Sequence, residues 1–444
     1  MEGYSIVIIL LAIAIGLSFA AKRINFPYPV LLLLAGIGVG FIPDFDVISI
    51  RPDVVFLLFL PPFLYEAAYN ISFREFRKNI STISLLAFTL VFATTGTIAV
   101  CVHYFIGLEW HLSFVLGAIL SPPDAIAAAG ATKGLHLPHR TNTVLEGESL
   151  INDASALVAF RFAVAAVAGT AFMPIQAVGL FIIALAGGVL LGWLLAHVFV
   201  WLAKHLADNN VIVALNLLLP FVAYLLAEEL HVSGVIASVA LGLAISRYKA
   251  RLPEKSIAQS KSVLQTAVFI LNGLVFILIG LEFPHILKNI PSSEFILLIA
   301  CAFLIFIAAL VIRMVIIFYH TISIKKRSEA TNKPLKHFNK GQWNLIKHPN
   351  LRHSNVNMRT TDRLEKYKSL LFSPKEAFII GWSGMRGIVS LAAALSLPLI
   401  MKDGSVFPHR NTIIFLTVVV VIIMLIVQGL GLPVLVKWLK FERK

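Results

Sequence analysis

Charge is scarce in this 444-residue sequence: Asp, Glu, Lys and Arg together make up only 14% of it. Soluble domains carry roughly 25%. With 58% hydrophobic residues and a mean hydropathy of +0.87, a soluble globular fold is excluded. Cysteine is almost missing. Cys101 and Cys301 both fall in apolar runs, where they read as packing residues rather than a disulfide or a metal pair. The sequence has no phosphate-binding glycine loop and no nucleophile elbow, and His103, His197 and His231 have no metal-ligand spacing. These absences remove support for a primary pump or an intramembrane hydrolase. No enzymatic activity and no cofactor are expected.

Long apolar runs recur instead. Each run of 18 or more apolar residues marks a candidate membrane crossing. Thirteen spans are expected, at 4–21, 28–42, 53–70, 80–106, 111–130, 141–168, 174–203, 211–229, 232–246, 262–283, 293–324, 374–399 and 411–436. The first ends in small residues, as a signal peptide would, but Glu2 precedes it and the basic pair Lys22 and Arg23 follows it. A retained first helix is therefore expected. The net charge of +14 is distributed by segment. Nearly all Lys and Arg lie in alternate connections, whereas the other set holds only Arg51, Lys288, Lys402 and Arg410. The positive-inside rule then sets the N-terminus outside and the C-terminus in the cytoplasm, with no need for a nucleic-acid partner. The domain plan is spans 1–11 over 1–324, a basic cytoplasmic loop over 325–373, spans 12–13 over 374–436 and a short tail over 437–444. The loop reads as a disordered segment near anionic lipid or as a regulatory one. No further domain is read in the tail.

Two spans carry breaks. The fifth contains Ser121, Pro122, Pro123 and Asp124, and consecutive prolines remove helix donors. The twelfth contains Gly381, Gly384, Arg386 and Gly387. Spans five and twelve differ by seven, the offset of two inverted six-helix repeats joined by span seven. Discontinuous helices crossing at mid-membrane point to a transporter's binding site. Span six adds Glu146, Glu148, Ser149, Asn152 and Asp153. Helical offsets bring Glu146, Ser149 and Asp153 to one face, with Glu148 and Asn152 on the next. An ionised side chain at the bilayer centre costs about 2.5–3.5 kcal/mol on insertion scales, so these carboxylates read as a cation site that also takes a proton.

The run from Glu146 to Asp153, the Ser121–Asp124 and Gly384–Gly387 motifs, and Phe59 to Glu66 with Pro61 and Pro62 carry a resemblance. The sequence resembles the cation–proton antiporter superfamily, in its sodium/proton exchanger (NhaP-like) branch, over all thirteen spans. The resemblance implies an all-α polytopic fold and a homodimer, in which spans 3–6 and 10–13 move against a dimerisation scaffold. It implies alternating-access exchange of Na⁺ for H⁺ in a bacterial-type inner or plasma membrane, serving pH homeostasis, with Li⁺ or K⁺ as further candidate cations. Alternatives are a potassium/proton antiporter on the same fold and, from another class, a cation channel-like efflux system. A non-transporting sensor built on the basic loop is a third.

The family's ion-binding aspartate falls on Asp153, which would bind sodium and a proton competitively: desolvation raises a buried carboxylate's affinity for the proton, and a bound cation lowers it. The resemblance implies that Asn152 goes with electroneutral one-for-one exchange, where a second aspartate would go with electrogenic exchange. Asp124 matches the aspartate of the family's Thr-Asp-Pro, but Pro123 stands where the threonine would be and Ala125 where the proline would be. The Pro123 carbonyl remains a candidate ligand, and Asp124 is either a ligand or a partner of half-helix dipoles. Ser149 is a hydroxyl ligand or a small packing residue. Glu66 is part of the site or lines a cavity. Glu148 and Arg386 are expected to form a structural ion pair near the site. Glu146 is a cation-attracting residue or an acid near a helix start. Arg161 is expected to snorkel outward, and Arg313 to find an internal partner that the sequence does not name.

Overall fold

The computed structural model describes residues 3–24, 27–42, 52–123, 139–167, 174–332, 372–401 and 404–439. Among them are fourteen α-helices: α1 (Gly3–Ile24), α2 (Tyr28–Gly40), α3 (Pro52–Asn70), α4 (Phe73–Ile106), α5 (Trp110–Leu120), α6 (His139–Val167), α7 (Pro174–His205), α8 (Asn209–Glu229), α9 (Gly234–Tyr248), α10 (Glu254–Lys288), α11 (Ser292–Asn332), α12 (Pro374–Trp382), α13 (Ile388–Leu395) and α14 (Arg410–Trp438). A 3₁₀ turn, Lys249–Arg251, links α9 to α10. A described helix falls at least partly within each expected stretch, and seven of the described helices are long and apolar enough to cross a membrane.

Helix ends follow caps rather than hydropathy. The apolar run of α4 suggests a start near residue 80, but Ser72 accepts a hydrogen bond from the Glu75 N–H and starts the helix two turns earlier. The start of α12 is set by a full capping box, Ser373 with Glu376. At α10 the polar turn Glu254–Lys261 is helical as well, and α11 runs to Asn332, past its expected end at 324. The rest of the basic loop, 333–371, lies outside the described residues. Pro61 and Pro62 stay inside α3, whereas α5 stops at Leu120, just before Pro122 and Pro123. The twelfth expected span splits into α12 and α13 around an extended Gly384–Gly387.

Packing divides the helices into two groups. In one, α2 lies against α10 and α9 lies against α7, α3 and α8. Gly36 and Gly280 let α2 and α10 touch through backbone: a Cβ on Gly280 would stand 2.7 Å from Gly36 Cα. In the other, α4 packs on α5, α6 and α11, and α11 packs on α12 and α14. Helices α3 and α10, expected in the moving bundle of spans 3–6 and 10–13, make their main contacts with α9 and α2, whereas α4–α6 and α11–α14 surround the polar residues of α6. Helix α13 touches both groups, through α5 and α6 on one side and α3 and α10 on the other.

Candidate functional site

Helix α6 supplies the polar residues. Glu148 and Asn152 are fully buried, Ser149 is buried, and Asp153 is 8% exposed. One helical turn joins Asn152 to Glu148, with Asn152 Nδ2 donating to Glu148 Oε1 at 2.9 Å. That commits the amide nitrogen and leaves Asn152 Oδ1 buried without a hydrogen-bond donor among the described residues. Such an oxygen suits a hard monovalent cation, which favours oxygen ligands.

The broken helices meet α6 at this level. Ser149 Oγ donates to the Pro123 carbonyl at 2.8 Å, so two expected site residues are brought together by the missing helical continuation of α5. Proline at 122 and 123 ends the ladder and turns carbonyls toward side chains. Asp124, also expected in the site, lies outside the described residues.

The expected Glu148–Arg386 pair does not form. Arg313 takes the Glu148 carboxylate instead, with Nη1 at 2.6 Å from Oε1 and Nη2 at 3.0 Å from Oε2. Arg313 comes from α11 and also donates through Nε and Nη2 to the Ile380 carbonyl, at 3.3 and 3.2 Å, on the last turn of α12. Gly384 leaves the room it needs, since a Cβ there would collide with the Arg313 side chain. Arg386 turns elsewhere. Its Nε donates to the Leu120 carbonyl at 2.6 Å, and its Nη1 donates to the Gly384 carbonyl at 2.8 Å. Leu120 ends α5, where unsatisfied carbonyls and the negative end of the helix dipole favour a cation. Arg386 thus holds the two breaks together, and Arg313 ties α6 to α11 and α12. The sequence contains no register between distant helices, so it could not choose between the two arginines.

Glu66 stands one turn from the end of α3, where Asn70 Nδ2 donates to its Oε1. Its charged neighbours are Lys261, Glu146 and Lys249. Glu146 is exposed and lies about two turns of α6 from Asp153. Glu66 therefore shares its charged surroundings with Glu146 and the two lysines. Lys249 completes this group: it donates to the Tyr69 carbonyl, and its ammonium lies 3.8 Å from the Tyr69 ring centre. Burial, then Lys261, pull the Lys249 ammonium down from its usual range to about 8, against the pull of Glu66.

The far end of α6 is closed differently. Arg161, expected to snorkel, donates to Glu228 at 2.7 Å and to the Tyr224 hydroxyl at 2.8 Å, both on α8. Phe56 and Tyr224 face its guanidinium at 5.6 and 5.9 Å. Aromatic and acidic partners on the neighbouring group of helices orient the guanidinium, which remains one-third exposed at 34%.

Comparison with known proteins agrees with this architecture. An uncharacterised Na⁺/H⁺ exchanger of Mycobacterium bovis is 34% identical over 438 residues, which cover 98% of this chain and 74% of the relative. A sodium, potassium, lithium and rubidium/H⁺ antiporter of Bacillus pumilus is 32% identical over 449 residues, 98% of this chain and 61% of that protein. The solved structure of the sodium proton antiporter MjNhaP1 from Methanocaldococcus jannaschii at pH 8 superposes with a TM-score of 0.69 over 99% of each chain, at 19% identity, and so shares the fold. The family model described as "Sodium/hydrogen exchanger, transmembrane" matches residues 6–438, and this chain belongs to that family.

Proposed function

We propose that the protein is a secondary active sodium/proton antiporter. The observation that carries this reading is a buried carboxylate, Asp153, on the helix whose Ser149 bonds the Pro123 carbonyl of an interrupted neighbour. Asp153 holds either a proton or Na⁺, because each weakens the other's binding. Asn152 Oδ1, Ser149 Oγ, the Pro123 carbonyl and Asp124 are the further oxygens offered to the cation. Asn152 cannot titrate, so one proton exchanges for one cation and the cycle is electrically silent. Glu66 and Glu146 attract cations into the cytoplasmic mouth.

Alternating access carries Asp153 between the two faces as α4–α6 and α11–α14 shift against the other helices. In this reading the chain crosses a bacterial-type inner or plasma membrane thirteen times as two inverted repeats, its N-terminus outside and its C-terminus inside, and works as a homodimer. Its role is pH homeostasis. A second reading, potassium/proton antiport at the same site, is favoured by the Bacillus relative, whose name includes potassium.

Proteoliposomes holding wild type or Asp153→Asn, with intravesicular pH recorded during Na⁺ and then K⁺ pulses, test the proposal. Wild type should give a saturable Na⁺ response that a voltage clamp leaves unchanged, and the variant none. A response to K⁺ alone selects the second reading. Equal exchange by correctly folded Asp153→Asn would remove Asp153 from the mechanism, and a response that follows the voltage would favour electrogenic exchange or a channel.

A further inference from the structure

A cavity of about 340 Å³ opens between the α3–α4 junction and the end of α9. Its lining includes Asn70, Ser72, Arg74, Ser246, Arg247 and Lys249, three cations and no carboxylate. The two arginines, Arg74 and Arg247, are held without an ion-paired acid among the described residues. Arg247 is supported instead by the faces of Phe73, Trp193 and Tyr248, at 5.5, 5.3 and 5.6 Å. Lys249 is pinned by the Tyr69 carbonyl and ring. Ser246 Oγ donates to the Ile71 carbonyl at 2.5 Å, which fixes the end of α9 to the connection leading into α4.

Cations that converge on one cavity repel each other. Aromatic faces offset part of that repulsion and orient the guanidinium without neutralising it. An oxyanion with several oxygens would satisfy all three at once, since guanidinium matches phosphate geometry in a bidentate way and an ammonium adds a point charge. The cavity sits where α4 begins with Arg74, Arg77 and Lys78 and where α9 ends with Arg247, Lys249 and Arg251. In the topology expected from the sequence these are cytoplasmic connections, beside which anionic phospholipids present their phosphates.

We infer that this cavity is a phosphate-binding site, filled either by an anionic phospholipid headgroup or by free phosphate. Lys249 belongs both to the cavity and to the Glu66–Glu146 group. A phosphate drawing the ammonium toward the cavity lessens its repulsion of cations entering beside Glu66. Binding itself does not depend on the antiporter reading, whereas this consequence for transport rests on it.

The test uses purified full-length protein, Arg74→Ala/Arg247→Ala, and the charge-keeping Arg74→Lys/Arg247→Lys. Two probes are read: thermal melting in inorganic phosphate against chloride at matched ionic strength, and phosphatidylglycerol retention by native mass spectrometry after exchange from phosphatidylcholine/phosphatidylglycerol vesicles. The alanine variant should bind about tenfold or more weakly, at roughly one kcal/mol per lost surface cation, and the lysine variant should recover most of the difference. A phosphate-dependent melt in wild type only identifies free phosphate. Selective phosphatidylglycerol retention without a phosphate response identifies the headgroup. Wild type and alanine variant behaving alike with both probes overturns the site. Asp153→Asn should keep wild-type binding in both assays, so loss of transport and loss of this site are read separately.

Discussion

Arg313 and Arg386 are both buried, both reach into the same interrupted region, and are satisfied in opposite ways. Arg313 meets a carboxylate, Glu148, and uses its remaining donor capacity on one backbone carbonyl. Arg386 meets the Leu120 and Gly384 carbonyls and the Met424 sulfur, and has no ion-pair partner among the described residues. The first arrangement neutralises a charge on α6 five residues before Asp153. The second stabilises two broken chain segments through helix-end dipoles. A buried charge can be placed by another charge or by a break in the backbone, and this fold uses each device once beside the same helix.

The largest expected effect comes from removing one member of the ion pair. Arg313→Ala leaves Glu148 buried and uncompensated, which costs about 3–5 kcal/mol. Glu148→Gln alone should cost less, because Arg313 keeps the Ile380 carbonyl. The double variant should recover part of the Arg313→Ala loss. Thermal melts of the four proteins form a double-mutant cycle, and simple additivity would show that the two groups do not pair.

Arg386→Ala comes next, at about 1.5–3 kcal/mol, the scale of hydrogen bonds from a charged group. Its coupling to Glu148→Gln should be smaller than that of Arg313→Ala to the same change. Glu148 does lie within electrostatic reach of Arg386, so some coupling is expected. A stronger coupling to Arg386 than to Arg313 would restore the pairing expected from the sequence and break the comparison.

Much of the architecture was legible from apolar runs, and the twelfth-span break was legible from its three glycines, because local chemistry determines both. The cluster on α6 was legible for the same reason: helical spacing alone relates Glu148 to Asn152. What spacing cannot give is the register between α6, α11 and the α12–α13 break, so Glu148 was assigned the wrong arginine. Glu66 was left open for a related reason. Its sequence context marks it as an intramembrane acid, but its neighbours Lys249 and Lys261 lie almost two hundred residues away and come beside it only through the packing of α3 on α9 and α10. The start of α4 was missed because a capped polar turn precedes the apolar run, at Ser72, whereas α12 begins at Pro374 as expected.

The smallest effect is expected where the two groups of helices meet at the far end of α6. Arg161 and Glu228 are 34% and 39% exposed, so water screens the pair and Glu228→Gln should change stability by no more than about 1 kcal/mol. The same pair nonetheless joins α6 to α8, across the boundary along which the proposed motion runs. Glu228→Gln should therefore alter the exchange rate while leaving the melt nearly unchanged, with Arg161 still held by the Tyr224 hydroxyl and its two flanking rings. A stability loss as large as that of Arg386→Ala would make this contact a structural brace like the buried pairs. An unchanged rate with an unchanged melt would mean that the shift of α6 does not pass through this contact, and would move the boundary between the two groups away from α6 and α8.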